Sequence, residues 1–191
     1  TLDVLTLSQE VSRLSGGAFD VTVGPLVNAW GFGPQERREL SDEDIRQLRE
    51  RVGYKMLSLD PQAKTLSKAR PDLYVDLSAV AKGYAVDKLS EALANRGYTD
   101  HMVEIGGEVR CQGINPDGKS WRIAIEKPDN QARAIYEILE LKDMAMATSG
   151  DYRNYYEKDG QRISHTIDTR TGRPITHTLA SVTVLDPSCA R

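Results

Sequence analysis

The chain has 191 residues, of which 39% are hydrophobic and 28% are charged, with 15 glycines and 8 prolines. This composition is typical of a folded globular protein of one or two domains and argues against a disordered or fibrous chain. The 25 Lys and Arg residues are balanced by 28 Asp and Glu residues, so the formal net charge is −3 and no basic field is available to attract nucleic acid. The apolar runs are far shorter than the roughly 18 residues that a membrane-spanning helix needs, which excludes a transmembrane segment in this chain.

Two helices are predicted in the first third of the chain. Residues 18–25 read as a tight extended or loop segment between them. Ser41 with Asp44 three residues later resembles a capping box, and the helix that it starts is closed by Gly53. The earlier helix ends at Gly16-Gly17 and is predicted from apolar residues at helical spacing, namely Val4, Leu7, Val11 and Leu14. Because helix begins at once, with no initiator methionine or leader, we expect the amino end to be cut.

The clearest helix runs from Ser78 to Arg96 and is ended by Gly97. Its buried stripe is predicted to consist of Ala81, Ala85, Leu89, Ala92 and Leu93. Short strands precede it around an Asp60-Pro61 turn. Alternating or clustered apolar residues predict later strands at 102–111, 121–126, 135–141, 163–167 and 179–185.

No internal repeat or linker interrupts this pattern. It predicts a single α+β domain over residues 1–191, with a mainly antiparallel sheet packed against a few helices. Asp186-Pro187-Ser188 resembles the entry to a further helix, so the carboxyl end is also expected to be cut.

Four local features each have a functional and a structural interpretation. His165 lies between a strand and a polar turn, where a histidine can act as a general base, although strand histidines are more often structural. Gly106-Gly107 indicates a β-bulge or a backbone that a ligand approaches closely, or else a simple hairpin turn. Residues 148–151 (Thr-Ser-Gly-Asp) form an anion-binding loop or a plain turn. Asp76 and Lys82 at a helix start suit a phosphate site, or a capped helix with a solvated lysine.

The other reactive side chains are assigned no chemistry. The three histidines lack the spacing of a zinc-protease helix, and His101 is predicted to lie at the surface or to cap a helix. Cys111 and Cys189 are too few for a disulfide scaffold, so they are interpreted as small buried hydrophobic residues.

Six sequence blocks follow one another over nearly the whole chain. They are GAFDVTVGPLV (17–27), WGFG (30–33), DLSAVAKGYA (76–85), IGGEV (105–109), ATSGDY (147–152) and SHTID (164–168). In this order they resemble the ApbE-type FAD:protein FMN transferases.

The resemblance implies that FMN is transferred from FAD, through a phosphoester bond, onto a Thr or Ser hydroxyl of a partner protein. AMP is released and Mg²⁺ is required. The implied partner is a subunit of a membrane redox complex. The implied location is the periplasmic side of the bacterial cell envelope, with a lipid anchor in the full-length form.

The matching motifs also imply site residues. Ala79 offers its backbone carbonyl to the metal, and His165 takes the proton of the acceptor hydroxyl. The family's other metal ligands are expected beyond Cys189, and its lipoprotein signal and first FAD-binding stretch are expected before Thr1. The chain is therefore expected to be truncated at both ends. The residues implied to contact FAD are Ala18, Phe19, Asp20, Asp76, Lys82 and Ile167.

Two other functions stay open from the sequence. If water replaces the acceptor hydroxyl, the same site is an FAD pyrophosphatase that releases FMN and AMP. If the metal ligands are missing, the chain is a flavin-binding protein without turnover.

Overall fold

The computed structural model of the protein describes residues 1–34, 37–129, 134–151 and 154–191. The helices are α1 (Leu2–Leu14), α2 (Gly24–Ala29), α3 (Asp42–Arg49) and α4 (Ser78–Ala94). The strands are β1 (Leu57–Asp60), β2 (Thr65–Lys68), β3 (His101–Ile105), β4 (Glu108–Gln112), β5 (Trp121–Glu126), β6 (Ile135–Leu141), β7 (Met144–Gly150), β8 (Tyr155–Lys158), β9 (Gln161–Ser164), β10 (Ile167–Asp168), β11 (Arg173–Pro174) and β12 (Ser181–Asp186). Every described strand pair is antiparallel, so the predicted α+β class with a mainly antiparallel sheet is confirmed. Over these same residues, no helix combines the length and the apolar character that crossing a bilayer demands.

The chain forms two compact units. Unit 1 comprises residues 1–79 and 154–177, and unit 2 comprises residues 80–153 and 178–191. The division therefore falls within the first turn of α4. The single domain predicted from the sequence stays a prediction.

Unit 1 contains α1, α2, α3 and three two-stranded sheets, β1–β2, β8–β9 and β10–β11. Its core consists of Leu5, Val21, Leu57 and Leu73. The predicted capping box at the start of α3 is confirmed, because the hydroxyl of Ser41 accepts the Asp44 N–H and the Asp44 carboxylate accepts the Ser41 N–H. This helix ends at Arg49, which is earlier than the predicted closure at Gly53.

Unit 2 contains a four-stranded sheet in the order β12-β7-β4-β3 and the hairpin β5–β6. Successive residues of a strand point to opposite faces, so the sheet carries two cores. One core joins it to α4 and consists of Val86, Val103, Ala145 and Cys189. The other joins it to the hairpin and consists of Val109, Cys111, Leu141 and Met146.

The predicted apolar stripe of α4 is wrong at Ala81 and Leu89, whereas Ala85, Ala92 and Leu93 are half-buried and Leu93 packs against the core. Leu89 is 51% exposed and Ala81 is also exposed. The residues that α4 buries are Val80, Gly83, Val86, Asp87 and Ser90. Apolar residues occur on more than one side of this helix, so helical spacing alone does not select the buried side.

Asp87 explains why a polar face of α4 is buried. Its carboxylate, on a residue only 5% exposed, accepts hydrogen bonds from Arg110 Nη1 at 2.8 Å and from Ser188 Oγ at 2.7 Å. It also accepts the backbone N–H groups of Cys189 and Ala190 at 2.9 and 3.0 Å. A buried carboxylate is stable only when it is paired and hydrogen-bonded in this way. Residues 188–190 are thereby tied to α4.

Gly83, one turn before Asp87, allows this close approach. A Cβ atom at Gly83 would lie 2.3 Å from the carbonyl oxygen of Cys189. In an unobstructed helix, alanine in place of glycine stabilises by about 0.5–1 kcal/mol. Here the clash is with main chain, and it outweighs that gain. We expect Gly83→Ala to lower the free energy of unfolding, measured by urea denaturation, by about 1–3 kcal/mol. A more stable variant would contradict the close approach.

Candidate functional site

The loop that follows α1 is held by the carboxylate of Asp20, a residue only 7% exposed. Asp20 Oδ1 accepts the N–H of Thr22 at 2.8 Å and its hydroxyl at 2.6 Å, and Asp20 Oδ2 accepts the N–H of Tyr54 at 2.7 Å. The Thr22 hydroxyl oxygen in turn accepts the N–H of Gly53 at 2.7 Å. The Asp20 side chain is therefore engaged with protein donors. It fixes the path of the loop after Phe19, whereas the N–H groups of Ala18 and Phe19 donate to Ser15.

Unit 1 places other predicted residues beside this loop. The Asp76 N–H donates to Val21 O at 2.7 Å, and the Thr169 hydroxyl donates to Gly17 O at 2.6 Å. The second bond ties the loop to the turn that follows Ile167, which is buried. Asp76 Oδ1 accepts the N–H of Ser78 at 2.9 Å, which confirms the capping interpretation of Asp76. Asp76 Oδ2 has no hydrogen-bond partner among the described residues.

His165 directly follows β9 and is half-buried. Its backbone N–H donates to the carbonyl oxygen of Asn154 at 3.3 Å, and its ring Nδ1 lies 3.0 Å from the same oxygen. A carbonyl oxygen only accepts hydrogen bonds, so Nδ1 carries the proton and Nε2 of the neutral ring holds the lone pair. Within the described parts of the chain, Nε2 has no hydrogen-bond partner. This is the tautomer that a general base acting through Nε2 requires.

His101 differs from the prediction that it lies at the surface or caps a helix. The residue is 8% exposed, its Nδ1 lies 2.9 Å from Tyr98 O, and its Nε2 lies 2.8 Å from Ser90 Oγ. Both ring nitrogens are engaged, because β3 turns this side chain toward α4. His101 is a core histidine.

The two cysteines are free and buried, as predicted. Burial raises the pKa of each thiol to about 11. A thiol with this pKa is almost wholly protonated at neutral pH and is a poor nucleophile. Cysteine chemistry is therefore not a basis for function here.

Lys82 in unit 2 forms an ion pair that the sequence analysis missed. Its Nζ lies 2.6 Å from Glu108 Oε2 and 3.5 Å from Gly106 O. Glu108 Oε2 is buried, so Lys82 supplies the charge that compensates this carboxylate oxygen. The Lys82 side chain remains 48% exposed. Glu108 belongs to the IGGEV block, which was the only sequence signal for it.

Gly106 and Gly107 form the two-residue turn between β3 and β4, with φ values of 58° and 95°. Positive φ at both positions defines the tight hairpin turn that glycine favours, so the hairpin interpretation is confirmed. In contrast, Thr148, Ser149 and Gly150 lie in β7 and pair with β12. Both interpretations of this segment as a loop or turn are wrong for these three residues. Tyr152 of the same block lies outside the described residues.

The Gly106-Gly107 turn and Thr148 of β7 line the same cavity of unit 2. The cavity has a volume of about 640 Å³, and its lining includes Gly106, Gly107, Thr148, Glu104 and Arg122. Cavities of roughly 300–1,000 Å³ are typical of small-molecule sites. The Gly106 carbonyl that faces Lys82 Nζ belongs to a residue of this lining. Lys82 itself does not line the cavity but contacts the glycine turn at its border.

The described side chains do not form a metal site by themselves. Across the described ranges, no three His, Cys, Asp or Glu side chains are grouped so that they could hold a metal ion. Mg²⁺ prefers six oxygen ligands, with one or two protein carboxylates among them. Ala79 is exposed in the first turn of α4, and its assignment as a carbonyl ligand stays a prediction.

The fold and these sites define an α+β protein with a histidine suited to general base catalysis and a lysine suited to an anionic ligand. A family model described as "ApbE family" matches residues 1–191. The chain belongs to the ApbE family.

Named relatives agree with this assignment. An FAD:protein FMN transferase of Vibrio cholerae is 54% identical over 190 residues, which are 97% of this chain and 56% of the relative. That of Escherichia coli is 43% identical over 97% of this chain and 54% of its own length. The crystal structure of the Pseudomonas stutzeri flavinyl transferase ApbE in its apo form matches with a TM-score of 0.87 and 45% identity, over 99% of this chain and 58% of that one. This chain spans slightly more than half the length of the curated relatives it matches.

The Asp20 network yields a stability prediction. In Asp20→Asn, an amide N–H₂ group would have to face a backbone N–H that the carboxylate now accepts. We expect the free energy of unfolding, measured by urea denaturation, to fall by about 1–3 kcal/mol. The control is Asp117→Asn, because Asp117 is exposed and its side chain accepts no hydrogen bond in the described structure. Equal stabilities of the two variants would show that the network does not hold the loop.

Proposed function

We propose that the protein transfers FMN from FAD to a partner protein. The relatives named above are FAD:protein FMN transferases, and family membership supports the same reaction here. The observation that carries the proposal is the state of His165, whose Nδ1 donates to Asn154 O and whose Nε2 is left as the basic nitrogen.

The chemistry has three requirements. A Thr or Ser hydroxyl of the acceptor attacks the phosphorus atom of the FMN half of FAD, and a new P–O bond forms. The bond from that phosphorus to the bridging oxygen breaks, and AMP leaves with the bridging oxygen. The hydroxyl proton goes to His165 Nε2. The attack is in line, so the main tasks of the protein are to position the groups and to neutralise charge.

Lys82 is the proposed partner of a diphosphate oxygen. Its side chain is 48% exposed beside the Gly106-Gly107 turn, where an anionic ligand can reach it. Its pairing with Glu108 orients the ammonium before a ligand arrives, and a bound phosphate would compete with this carboxylate. Asp20 serves the proposed FAD site indirectly, by fixing the loop that follows Ala18 and Phe19 to Thr22 and Tyr54.

Several finer points belong to the proposal and rest on the family resemblance. They are the Mg²⁺ requirement with the carbonyl of Ala79 as a ligand, the FAD contacts of Asp76 and Ile167, the membrane redox subunit as acceptor and the cell-envelope location. Because the described side chains do not form a metal cluster, no reaction step is assigned to the metal.

The Lys82 assignment is tested by FAD affinity. We expect Lys82→Ala to weaken FAD binding, measured by calorimetric titration, by about threefold to tenfold at low salt, and by less at high salt because ions screen the contact. Lys88→Ala is a matched control, since Lys88 lies on the same helix, is 49% exposed and is paired with Glu91 at 2.7 Å. If both variants bind FAD equally well, Lys82 does not contact the ligand.

The reaction itself is tested with His165→Ala. The full-length protein is incubated with FAD, Mg²⁺ and an acceptor protein, and flavin fluorescence of the acceptor is read after denaturing electrophoresis. We expect the rate of labelling to fall by at least about 100-fold, as for the loss of a general base, while FAD affinity is retained. His177→Ala is the control, because His177 is exposed and no contact of its side chain is seen in the described structure.

The same assay separates the two other functions. Release of AMP without labelling identifies an FAD pyrophosphatase. FAD binding with neither product identifies a flavin-binding protein without turnover. A parallel loss of labelling and FAD affinity in His165→Ala would mean that His165 is structural.

A further inference from the structure

Three aromatic rings of unit 1 form a chain that ends at His165. The rings of Phe32 and His165 meet edge to face, with centroids 6.2 Å apart and an interplanar angle of 66°. Phe32 also stacks on Tyr156, with centroids 5.4 Å apart and an angle of 26°. The Arg37 guanidinium carbon lies 4.5 Å from the centroid of Tyr156. We call Phe32 and Tyr156 the aromatic brace.

The position of Phe32 is set by the end of α2. Gly31 has a φ of 87°, its N–H donates to Asn28 O at 3.0 Å, and the N–H of Phe32 donates to Val27 O at 3.1 Å. This pair of bonds is a Schellman motif, with Gly31 in the left-handed position that ends the helix. Phe32 therefore leaves α2 in a direction fixed by backbone hydrogen bonds.

Trp30 ties this helix end to the strand region of the same unit. Its indole N–H donates to Gly172 O at 2.9 Å, across the turn between β10 and β11. At Gly33, a Cβ atom would clash with the side-chain amide of Asn28, so a side chain there would displace that amide. In the WGFG block, Trp30 binds Gly172 O and Gly31 ends α2. Phe32 is the residue of this block whose ring contacts His165.

The hydrogen bond to Asn154 alone leaves the imidazole free to tilt about its Nδ1···O axis. The edge-to-face contact with Phe32 limits this motion from one side, and the stack on Tyr156 holds Phe32 in place. A base that is held in one orientation needs no reorganisation as the acceptor hydroxyl loses its proton.

We propose that Phe32, supported by Tyr156, is a positioning residue that holds the His165 ring in one orientation on Asn154 O, with Nε2 as the basic nitrogen left by that hydrogen bond. This inference rests on the proposed function for its catalytic consequence, since it assumes that His165 is the base of FMN transfer. The orientation of the ring itself does not depend on that assumption.

The first test reads the ring directly by proton–nitrogen correlation NMR of the histidine side chains of the full-length protein at about pH 8, where an ordinary histidine is neutral. We expect the Nδ1–H tautomer of His165 in both proteins, because Asn154 O sets it, and broadened His165 ring signals in Phe32→Leu, because the ring then samples more than one tilt. His101 is an internal reference, because Ser90 and Tyr98 hold both of its nitrogens. If the His165 signals match in the two proteins, or if Nε2–H is dominant in the unchanged protein, the proposal is overturned.

The second test separates positioning from binding and folding. We expect Phe32→Leu to lower kcat for FMN transfer by about fivefold to twentyfold, with KM for FAD changed less than twofold, and Phe32→Tyr to restore most of kcat because the aromatic edge is retained. Tyr98→Leu is the matched control, since Tyr98 is 60% exposed and its side chain makes no contact in the described structure. A fall in kcat that Phe32→Tyr does not restore would overturn the positioning role.

The two tests fail in different ways. If the unchanged protein labels no acceptor, the proposed function fails, while the NMR comparison still decides whether Phe32 orients His165. If labelling proceeds but Phe32→Leu is as active as the unchanged protein, the proposed function stands and the inference on Phe32 fails.

Discussion

A carboxylate that is buried away from water must find hydrogen-bond donors in the protein, and each unit of this chain is organised around one such group. In unit 1, Asp20 collects the N–H groups of Thr22 and Tyr54 and so fixes the loop after α1. In unit 2, Asp87 collects Arg110 and the backbone of residues 188–190 and so fixes that segment on α4. Each network thus anchors one segment of its own unit.

An acidic residue of a motif can therefore act through the backbone that it binds, without contacting a ligand itself. Asp20 lies in a block that implies FAD contacts, yet its side chain is engaged with protein donors, and its effect on a ligand passes through the backbone that it holds. Unlike the Asp20 carboxylate, three other groups keep an atom that a ligand can contact. They are His165 Nε2, the half-exposed ammonium of Lys82 and one carboxylate oxygen of Asp76. In His165 and Asp76 a different atom of the same group makes the protein contact, whereas Lys82 Nζ is itself paired with Glu108 and stays half-exposed.

Glycine in the left-handed region gives the backbone its sharpest turns. Gly31 ends α2 so that Phe32 reaches His165, and Gly106 with Gly107 closes the β3–β4 hairpin beside Lys82. A side chain at these positions would be strained because of the positive φ alone. The aromatic brace and the Lys82–Glu108 pair are therefore consequences of turn geometry as much as of side-chain chemistry.

The sequence by itself determined the features that depend on neighbours along the chain. The helices α1 and α4, the Ser41–Asp44 capping box, the strands β5 and β6 and the family resemblance were all predicted, because helix ends, strand alternation and motif order are local properties. The tertiary structure alone decided which side of α4 is buried, that His101 lies in the core, that residues 148–150 are strand and that Glu108 pairs with Lys82. Each of these depends on a partner distant in sequence, and the burial of a side chain is a property of two surfaces in contact, which no single segment specifies.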